Sequence, residues 1–382
     1  MSICGGAEPV NLGHGVLMGK SGFKKLQLPS LHIPFLKRQT LSIGLDIGSH
    51  AVKICELAET GNGYQLVALG SALLPPDSLE DGALQDPAAV GKVISSLINN
   101  LKIKNKKVAI SISGYSVIVK KINLAVMTEE DLEKHIESEA EQYIPFDIED
   151  VYLDFQDLKT NTATEARTDV MLVAAKRDVV DGYLNMLRAA GLQPVVVDVD
   201  AFALENAFEA NFGMRDNVAL VDIGASKMNI NIISHGASIL ARDVVLGSRQ
   251  LTEQIENLFG VSFAEAEALK TGETLAKDKQ AELEVLFANT CSQWVTEVKR
   301  AIDFYYSNHP DETISKIVLS GGGAKIQGLT EFFEKETDIP VEIFNPFKQA
   351  AVDSRIIDPS YLKSIAPEMT LAAGLATRPV EV

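Results

Sequence analysis

The stretch SIGLDIGSHAVKICEL, residues 42–57, places Asp46 between an apolar strand and a turn of small residues, after which a second apolar strand begins. The stretch ALVDIGASKMNINII, residues 219–233, repeats this arrangement around Asp222. Two apolar strands joined by so short a turn indicate a hairpin. The repetition predicts two related α/β halves, each with an acidic turn that faces the other half across a cleft.

The composition is that of a globular protein. The chain has 382 residues, of which 46% are hydrophobic, and is long enough for at least two domains of ~100–200 residues. The net charge of -17 argues against a nucleic-acid partner, because phosphate contacts need basic patches. No run approaches the ~18 apolar residues of a membrane helix. Three cysteines without paired spacing argue against disulfides and zinc, and indicate a reducing cytoplasm.

Residues 1–40 differ from the rest of the chain because they are basic and rich in proline. We predict a disordered leader here, and Met18 is an alternative start to Met1. The stretch LQLPSLHIPFLKR offers a second interpretation, a weak interfacial anchor, although its two prolines interrupt any helical periodicity.

Beyond the leader, short apolar strands alternate with amphipathic helices, which predicts an α/β fold. Residues 120–189 are predicted to form a small inserted α+β module that folds against its parent domain. The first helix of this module lies in TEEDLEKHIESEAEQYI, where Thr128 is the expected N-cap and Asp131 lies in the first turn.

Each acidic turn has the composition of a phosphate site. Gly and Ser let main-chain N–H groups approach a phosphate, and a carboxylate at the end of the preceding strand can hold a hydrated divalent cation. A third element, LSGGGAKIQGL at residues 319–329, ends a predicted strand in three glycines before a helix. Consecutive glycines are costly in chain entropy, so we expect a ligand to approach the backbone there; the alternative is a plain strand-to-helix turn.

The motifs LDIGS, VDIGA and SGGGA, in this order, resemble the two phosphate loops and the adenosine loop of the actin, Hsp70 and sugar-kinase superfamily. Within it, the chain is most similar to the PilM family of bacterial type IV pilus assembly proteins, which are relatives of the division protein FtsA. The specific marks are GLDIGSHAVKICEL, EAEQYIPFDIEDVYLDFQ, DVDAFALENAF and VLSGGGAKIQGLTEFFEKETDIPVEIFNPF. The resemblance covers nearly all of residues 41–382.

This resemblance implies an actin-like (ribonuclease H-like) duplicated α/β fold with the small α+β module inserted at 120–189. The first actin-like domain would comprise residues 41–119, 190–216 and 350–382. The second half would comprise residues 217–349, including a helical part at about 261–310.

The resemblance also implies a site for ATP or ADP with Mg²⁺. Asp46 and Asp222 would hold the Mg²⁺ through water. Lys53 would direct its ammonium at the phosphates if it points inward, and is otherwise a solvated or paired lysine. Glu267 and Lys270 share one helix face and would lie beside the adenosine, or else form an exposed salt bridge. The other expected nucleotide contacts are Gly48, Ser49, Gly224, Ala225, Ser226, Gly321, Gly322, Gly323 and Ala324.

Hydrolysis of the terminal phosphate needs a group that positions the attacking water. By resemblance, Asp198 occupies this place, and Asp200, two residues further on, is the alternative. Relatives of this kind imply slow hydrolysis at most. We therefore expect ATP to act as a structural and switching ligand.

The partner implied by the resemblance is the cytoplasmic N-terminal tail of a PilN-like inner-membrane protein, bound in a groove between the first domain and the inserted module. The acidic helix at 129–142 either receives basic residues of that tail or is a solvated face. The protein would be cytoplasmic and recruited to the inner face of the inner membrane. Other pilus components and homo-oligomers are further possible partners. The alternative function is a sugar-type small-molecule kinase of the same superfamily.

Overall fold

The computed structural model of the protein describes residues 41–61, 63–158, 166–213, 216–276 and 279–379. The predicted leader at 1–40, with its two candidate start sites, lies outside these residues. The described chain forms two large sheets, one small sheet and one short hairpin, with helices packed on the large sheets.

The strands of the described residues are, in chain order, β1 (Ile43–Ile47), β2 (Ala51–Thr60), β3 (Gly63–Leu73), β4 (Leu79–Glu80), β5 (Ala83–Leu84), β6 (Lys107–Ile112), β7 (Val117–Ala125), β8 (Val151–Asp157), β9 (Arg167–Lys176), β10 (Gln193–Val199), β11 (Val218–Ile223), β12 (Met228–Ser234), β13 (Ala237–Val244), β14 (Lys316–Ser320), β15 (Val341–Ile343) and β16 (Ala351–Val352).

The α-helices of the same residues are α1 (Pro87–Asn100), α2 (Glu129–Glu139), α3 (Arg177–Ala189), α4 (Asp200–Phe212), α5 (Arg249–Phe259), α6 (Phe263–Lys270), α7 (Gln280–Asn308), α8 (Leu329–Thr337), α9 (Pro359–Ile365) and α10 (Thr370–Ala376). Among the described residues, none of the helices is both long enough and apolar enough to span a bilayer.

The two large sheets share a five-strand arrangement, to which the first sheet adds β16, parallel to β3 on its other side. The first has the order β10-β6-β1-β2-β3-β16, and the second has the order β15-β14-β11-β12-β13. In each, an antiparallel meander (β1-β2-β3 or β11-β12-β13) is extended on one side by parallel strands. The duplication that the acidic hairpins predict is therefore present throughout both halves.

Helix α1 shows how the sequence sets these elements. Asp86 caps it by accepting a hydrogen bond from the N–H of Ala89 at 2.9 Å, and Pro87 fits the first turn, where its missing N–H costs nothing. Val90 and Ile94 are buried on the side that faces the sheet. The cap and the first turn of α1 therefore follow from residues within a few positions of each other.

The first half is closed from behind by α10, which lies directly against β1 and α4. A Cβ on Gly44 would stand 1.8 Å from the carbonyl oxygen of Ala372, and one on Gly374 would stand 1.8 Å from that of Ala203. Only glycine allows backbones to approach this closely. These contacts bring the C-terminal part of the described chain back to the strand that carries Asp46.

The inserted segment forms its own sheet, β7-β9-β8, with α2 packed on one face. Thr128 caps α2 as predicted, accepting from the N–H of Asp131 at 3.2 Å, but α2 ends at Glu139 and a 3₁₀ turn follows at 140–142. Helix α3, predicted within the module, packs both against β9 of the module sheet and against α1 of the first half, and its Leu184 and Leu187 are buried.

Candidate functional site

A cleft of about 350 Å³ lies between the two halves, in the size range of small-molecule sites. Asp46 and Asp222 both line it, so the two acidic turns converge on one cavity. The turns also touch, because the hydroxyl oxygens of Ser49 and Ser226 are 2.8 Å apart. Gly48, Gly224 and Ala225 line the cavity beside them.

The first hairpin neutralises its own carboxylate. Asp46 lies opposite Lys53 in the register of β1 and β2, and the Lys53 ammonium donates to Asp46 Oδ2 at 2.8 Å. Burial would lower the pKa of Lys53, but the neighbouring Asp46 carboxylate outweighs that effect and the pKa is raised. Lys53 therefore points inward, as a charged lysine paired with the acidic residue of its own turn.

The second hairpin has the same backbone and different partners. Asp222 accepts a hydrogen bond from Ser320 Oγ at 2.8 Å, and the residue opposite it on β12 is Asn229. The Asn229 amide donates to Asp243 Oδ1 at 2.7 Å. Without a cation of its own hairpin beside it, Asp222 has a pKa that burial raises to about 6.

The lysine of the second turn instead reaches across the cleft. Lys227 donates to Asp200 Oδ2 at 2.7 Å, and Asp200 lies at the start of α4 in the first half. Burial alone would raise the pKa of Asp200, but Lys227 and hydrogen bonds from Ser111 and Ser113 lower it. Asp200 thus lines the cavity as a charged carboxylate with three hydrogen-bond donors around it.

Asp198 has a different position from the one expected of a water-positioning residue. It is 0% exposed, does not line the cavity, and accepts two hydrogen bonds from the Arg378 guanidinium at 2.7 and 2.5 Å. Residues two apart on a strand point to the same face. Because β10 ends at Val199 and α4 begins at Asp200, the side chains of Asp198 and Asp200 diverge. Of the two candidates, Asp200 lines the cavity and Asp198 does not; the water-positioning role itself stays a prediction.

The segment that leads into the inserted module forms hydrogen bonds with both halves. Ser111 and Ser113 donate to Asp200, as noted, and the N–H of Gly114 donates to Asp243 Oδ2 at 2.6 Å. Asp243 belongs to β13 of the second half. The start of the module is therefore tied to the walls of the cleft on both sides.

The three glycines after β14 have two different roles. Gly321 has a φ of +81°, and a Cβ there would stand 2.4 Å from the carbonyl oxygen of Ile223; a Cβ on Gly323 would stand 2.4 Å from Ile223 Cγ2. Packing against β11 requires both. Gly322 faces open space and lines the cleft with Gly321, whereas Gly323 and Ala324 are buried beneath it. A 3₁₀ turn at Gly322–Lys325 takes the place of the expected helix start.

Glu267 and Lys270 both line the cavity and bond to each other at 2.6 Å. The Lys270 side chain is only 3% exposed and also donates to Thr252 Oγ1 at 2.8 Å. Burial lowers the pKa of Lys270. The alternative of an exposed salt bridge therefore does not describe this pair, which forms part of the cavity wall.

Several residues of the site were missed by the sequence interpretation. They are His50, Lys227, Asp243, Ser248, Arg249 and Lys325. The His50 ring lies 5.5 Å from that of Phe263 on the other side of the cleft, and burial followed by the charge of Arg249 lowers the pKa of His50. A signal existed for Lys227, which directly follows the second loop, but its partner is set only by the tertiary fold.

A metal ion bound in this cleft would need oxygen ligands beyond those that the protein side chains supply. Within the described ranges, no three His, Cys, Asp or Glu side chains are grouped closely enough to hold a metal ion by themselves. A divalent ion near Asp46 and Asp222 would take its other oxygen ligands from water and phosphate, as Mg²⁺ commonly does. The carboxylates therefore fit a phosphate-bridged Mg²⁺ and not a metal centre of their own.

Comparisons with known proteins agree with this architecture. FtsA of Neisseria meningitidis serogroup B is 22% identical over 366 residues, covering 84% of this chain and 87% of that protein. EutJ, an ethanolamine utilization protein of Carboxydothermus hydrogenoformans, shares the fold with a TM-score of 0.54 at 14% identity, over 88% of each chain. The actin-like duplicated fold expected from the sequence is thereby confirmed.

A PilM–PilN type IV pilus biogenesis complex is more similar still. Its matching chain has a TM-score of 0.79 and 30% identity, covering 91% of this chain and 100% of that chain. The family described as type IV pilus assembly protein PilM matches residues 44–380. The chain therefore belongs to the PilM family of type IV pilus assembly proteins.

Proposed function

We propose that this protein is a nucleotide-binding scaffold of the type IV pilus machine, with ATP or ADP and Mg²⁺ in the cleft. The observation that carries the proposal is the convergence of the two acidic turns, with Asp46 and Asp222 in one cavity and a 2.8 Å contact between Ser49 and Ser226. Two turns rich in small residues can present N–H groups and hydroxyls to a polyphosphate from both sides.

The rest of the cavity wall suits a nucleoside. Gly322 offers a backbone surface without a side chain, and the Glu267–Lys270 pair, with its lysine buried, offers polar groups held by hydrogen bonds. Asp46 and Asp222 would hold a hydrated Mg²⁺, which would neutralise part of the phosphate charge. Each of these residues keeps the role that the resemblance implies.

Slow hydrolysis at most is part of the proposal. A water-positioning carboxylate must have a free oxygen directed at the water, and Asp200 is engaged by Lys227, Ser111 and Ser113. The same engagement weighs against the small-molecule kinase alternative, which needs a free base for the substrate hydroxyl. A kinase would release ADP steeply in response to one metabolite, and a flat response across sugars and small acids would exclude it.

The proposed partner is the cytoplasmic tail of a PilN-like inner-membrane protein, supported by the similarity to a PilM–PilN complex. The tail would lie between the first domain and the inserted module, and would hold a cytoplasmic protein at the inner face of the membrane. The exposed carboxylates at the start of α2, Glu129, Glu130 and Asp131, can receive basic residues of the tail.

We retain the proposed domain division with one change. The first domain would comprise 41–119, 190–216 and 350–382, the module 120–189, and the second half 217–349 with its helical part at about 261–310. Helix α3 is reassigned from the module to the first domain, because its buried side chains pack in that core.

The test is a titration of a fluorescent ATP analogue into the wild type and an Asp46→Ala variant, with and without Mg²⁺. We expect the variant to bind at least about tenfold more weakly, because charge-assisted contacts are lost. Equal affinity would remove the site assignment. Repeating the titration with a tail peptide present tests coupling, which must be reciprocal between the two ligands.

A further inference from the structure

The cleft is lined by five lysine and arginine side chains, and four of them already have a carboxylate partner. These pairs are Lys53–Asp46, Lys227–Asp200, Lys270–Glu267 and Lys325–Glu368, each at 2.6–2.8 Å. Arg249 is the fifth. Within the described part of the chain its guanidinium has no ion pair, and its Nε is buried with no hydrogen-bond partner.

The backbone of Arg249 is fixed to the second phosphate turn. Its N–H donates to the carbonyl oxygen of Ala225 at 2.9 Å, and the N–H of Ser248 donates to that of Gly224 at 2.9 Å. A Cβ on the preceding Gly247 would stand 2.2 Å from the Ala225 oxygen, so the start of α5 and the turn are in backbone contact. The Arg249 side chain therefore begins beside the turn that carries Asp222.

A residue of the first half also indicates where the Arg249 guanidinium lies. The electrostatic influence of Arg249 reaches His50, which belongs to the first phosphate turn. The guanidinium thus lies within range of both turns. An N–H that is buried without an acceptor is unfavourable, and a guanidinium matches the oxygens of a phosphate with two parallel hydrogen bonds.

We propose that Arg249 binds a phosphate group of the nucleotide. It would supply to the second turn the cation that the first turn has in Lys53, because Asn229 stands where a lysine would face Asp222. The inference rests on the proposed nucleotide site and adds a residue that no phosphate-loop motif contains. The ligand class it specifies is a phosphate ester or polyphosphate anion.

The experiment measures equilibrium binding of ADP, adenosine and inorganic tripolyphosphate to the full chain and its variants. Arg249→Gln should weaken ADP and tripolyphosphate binding by about tenfold to a hundredfold and leave adenosine within about twofold. Arg249→Lys should retain part of the affinity, since it keeps the charge and loses the paired geometry. Arg242→Gln is the matched control, because Arg242 is exposed on β13 and pairs with Glu297 outside the cavity.

Thermal unfolding checks that each variant is folded, and Arg249→Met replaces the glutamine variant if that one is not. Unchanged ADP binding in Arg249→Gln overturns the proposal and leaves the nucleotide function intact. An equal loss for adenosine and ADP also overturns it, because only a general structural role affects both ligands alike. If the wild type binds tripolyphosphate but no nucleotide, the proposed function fails, and Arg249 keeps its role if its variant loses tripolyphosphate. A wild type that binds none of the three ligands overturns both.

Discussion

The β1–β2 and β11–β12 hairpins form the same type of turn but pair their charged side chains differently. In both, the glycine N–H closes the turn onto a carbonyl oxygen, from Gly48 to Ala51 at 3.1 Å and from Gly224 to Lys227 at 2.9 Å. The first hairpin pairs its acidic residue with a lysine of its own strand. The second sends its lysine to the opposite half. One hairpin is therefore electrostatically self-contained, while the other depends on its position relative to the first domain.

The largest expected effect on stability comes from a substitution in the strand that precedes the first acidic turn. At the position corresponding to Leu220 of β11, β1 has Gly44, whose added Cβ would meet the Ala372 carbonyl oxygen at 1.8 Å. Gly44→Ala should lower the free energy of unfolding by about 3 kcal/mol, because backbone must move. Gly61→Ala, in a turn with open space around it, is the control in the same denaturant series. Similar stability of both variants would contradict the close backbone contact of β1 with α10 that distinguishes β1 from β11.

The salt bridge between the halves comes next. Lys227→Met should lower the free energy of unfolding by about 2 kcal/mol, because it leaves the buried Asp200 carboxylate unpaired. Lys134→Met should cost less than about 0.5 kcal/mol, because the Lys134–Glu130 pair is 66% and 78% exposed. Equal losses in chemical denaturation would contradict the claim that the second turn is held across the cleft.

Stability and nucleotide affinity should change in opposite directions as the pH is lowered. The folded-state pKa of Asp222 is about 6 against an ordinary 3.8, so the folded state takes up a proton that the unfolded chain does not between these values. The stability of the ligand-free protein should therefore rise as pH falls through this window. Mg²⁺–nucleotide affinity should fall instead, by about tenfold per pH unit below 6, because the cation needs the carboxylate.

Asp222→Asn should flatten both pH profiles, and Asp303→Asn, on the exposed face of α7, should keep the wild-type profiles. Denaturation and nucleotide titrations at pH 5 to 8 measure both quantities. Profiles that remain steep in Asp222→Asn would assign the titration to another group and remove this difference between the hairpins.

The smallest expected effect is at the contact between the turns. A double-mutant cycle of Ser49→Ala and Ser226→Ala should give a coupling of about 0.5 kcal/mol in the ligand-free protein, because the hydrogen bond is exposed. Full additivity of the two substitutions would mean that the turns do not hold each other without ligand.

Much of the fold was predictable because it depends on local pattern. The duplicated acidic turns place their carboxylates at corresponding strand ends of the two sheets, and both Asp46 and Asp222 line one cleft. The cap at Thr128 and the start of α1 follow from residues within a few positions. These features are encoded by neighbours in the sequence.

The rest of the site depends on distant partners, which no short pattern contains. The sequence does not separate Asp198 from Asp200, but their distant partners do: Arg378, near the end of the described chain, pairs with Asp198, and Lys227 pairs with Asp200. The three glycines at 321–323 suggested a ligand, yet two of them are required by Ile223. Arg249 is the first residue of α5, and no short pattern shows that each lysine of the cavity is already paired with a carboxylate.

The hydrogen bonds around Ser113 and Gly114 have a mechanical consequence. The polypeptide enters the β7-β9-β8 module through a short segment that is fastened to Asp200 on one side and to Asp243 on the other. If the two halves rotate relative to each other, this segment must either lose one fastening or swing with the half that retains it. The module would then tilt in response to cleft closure through this segment, whose Ser113 and Gly114 line the cavity.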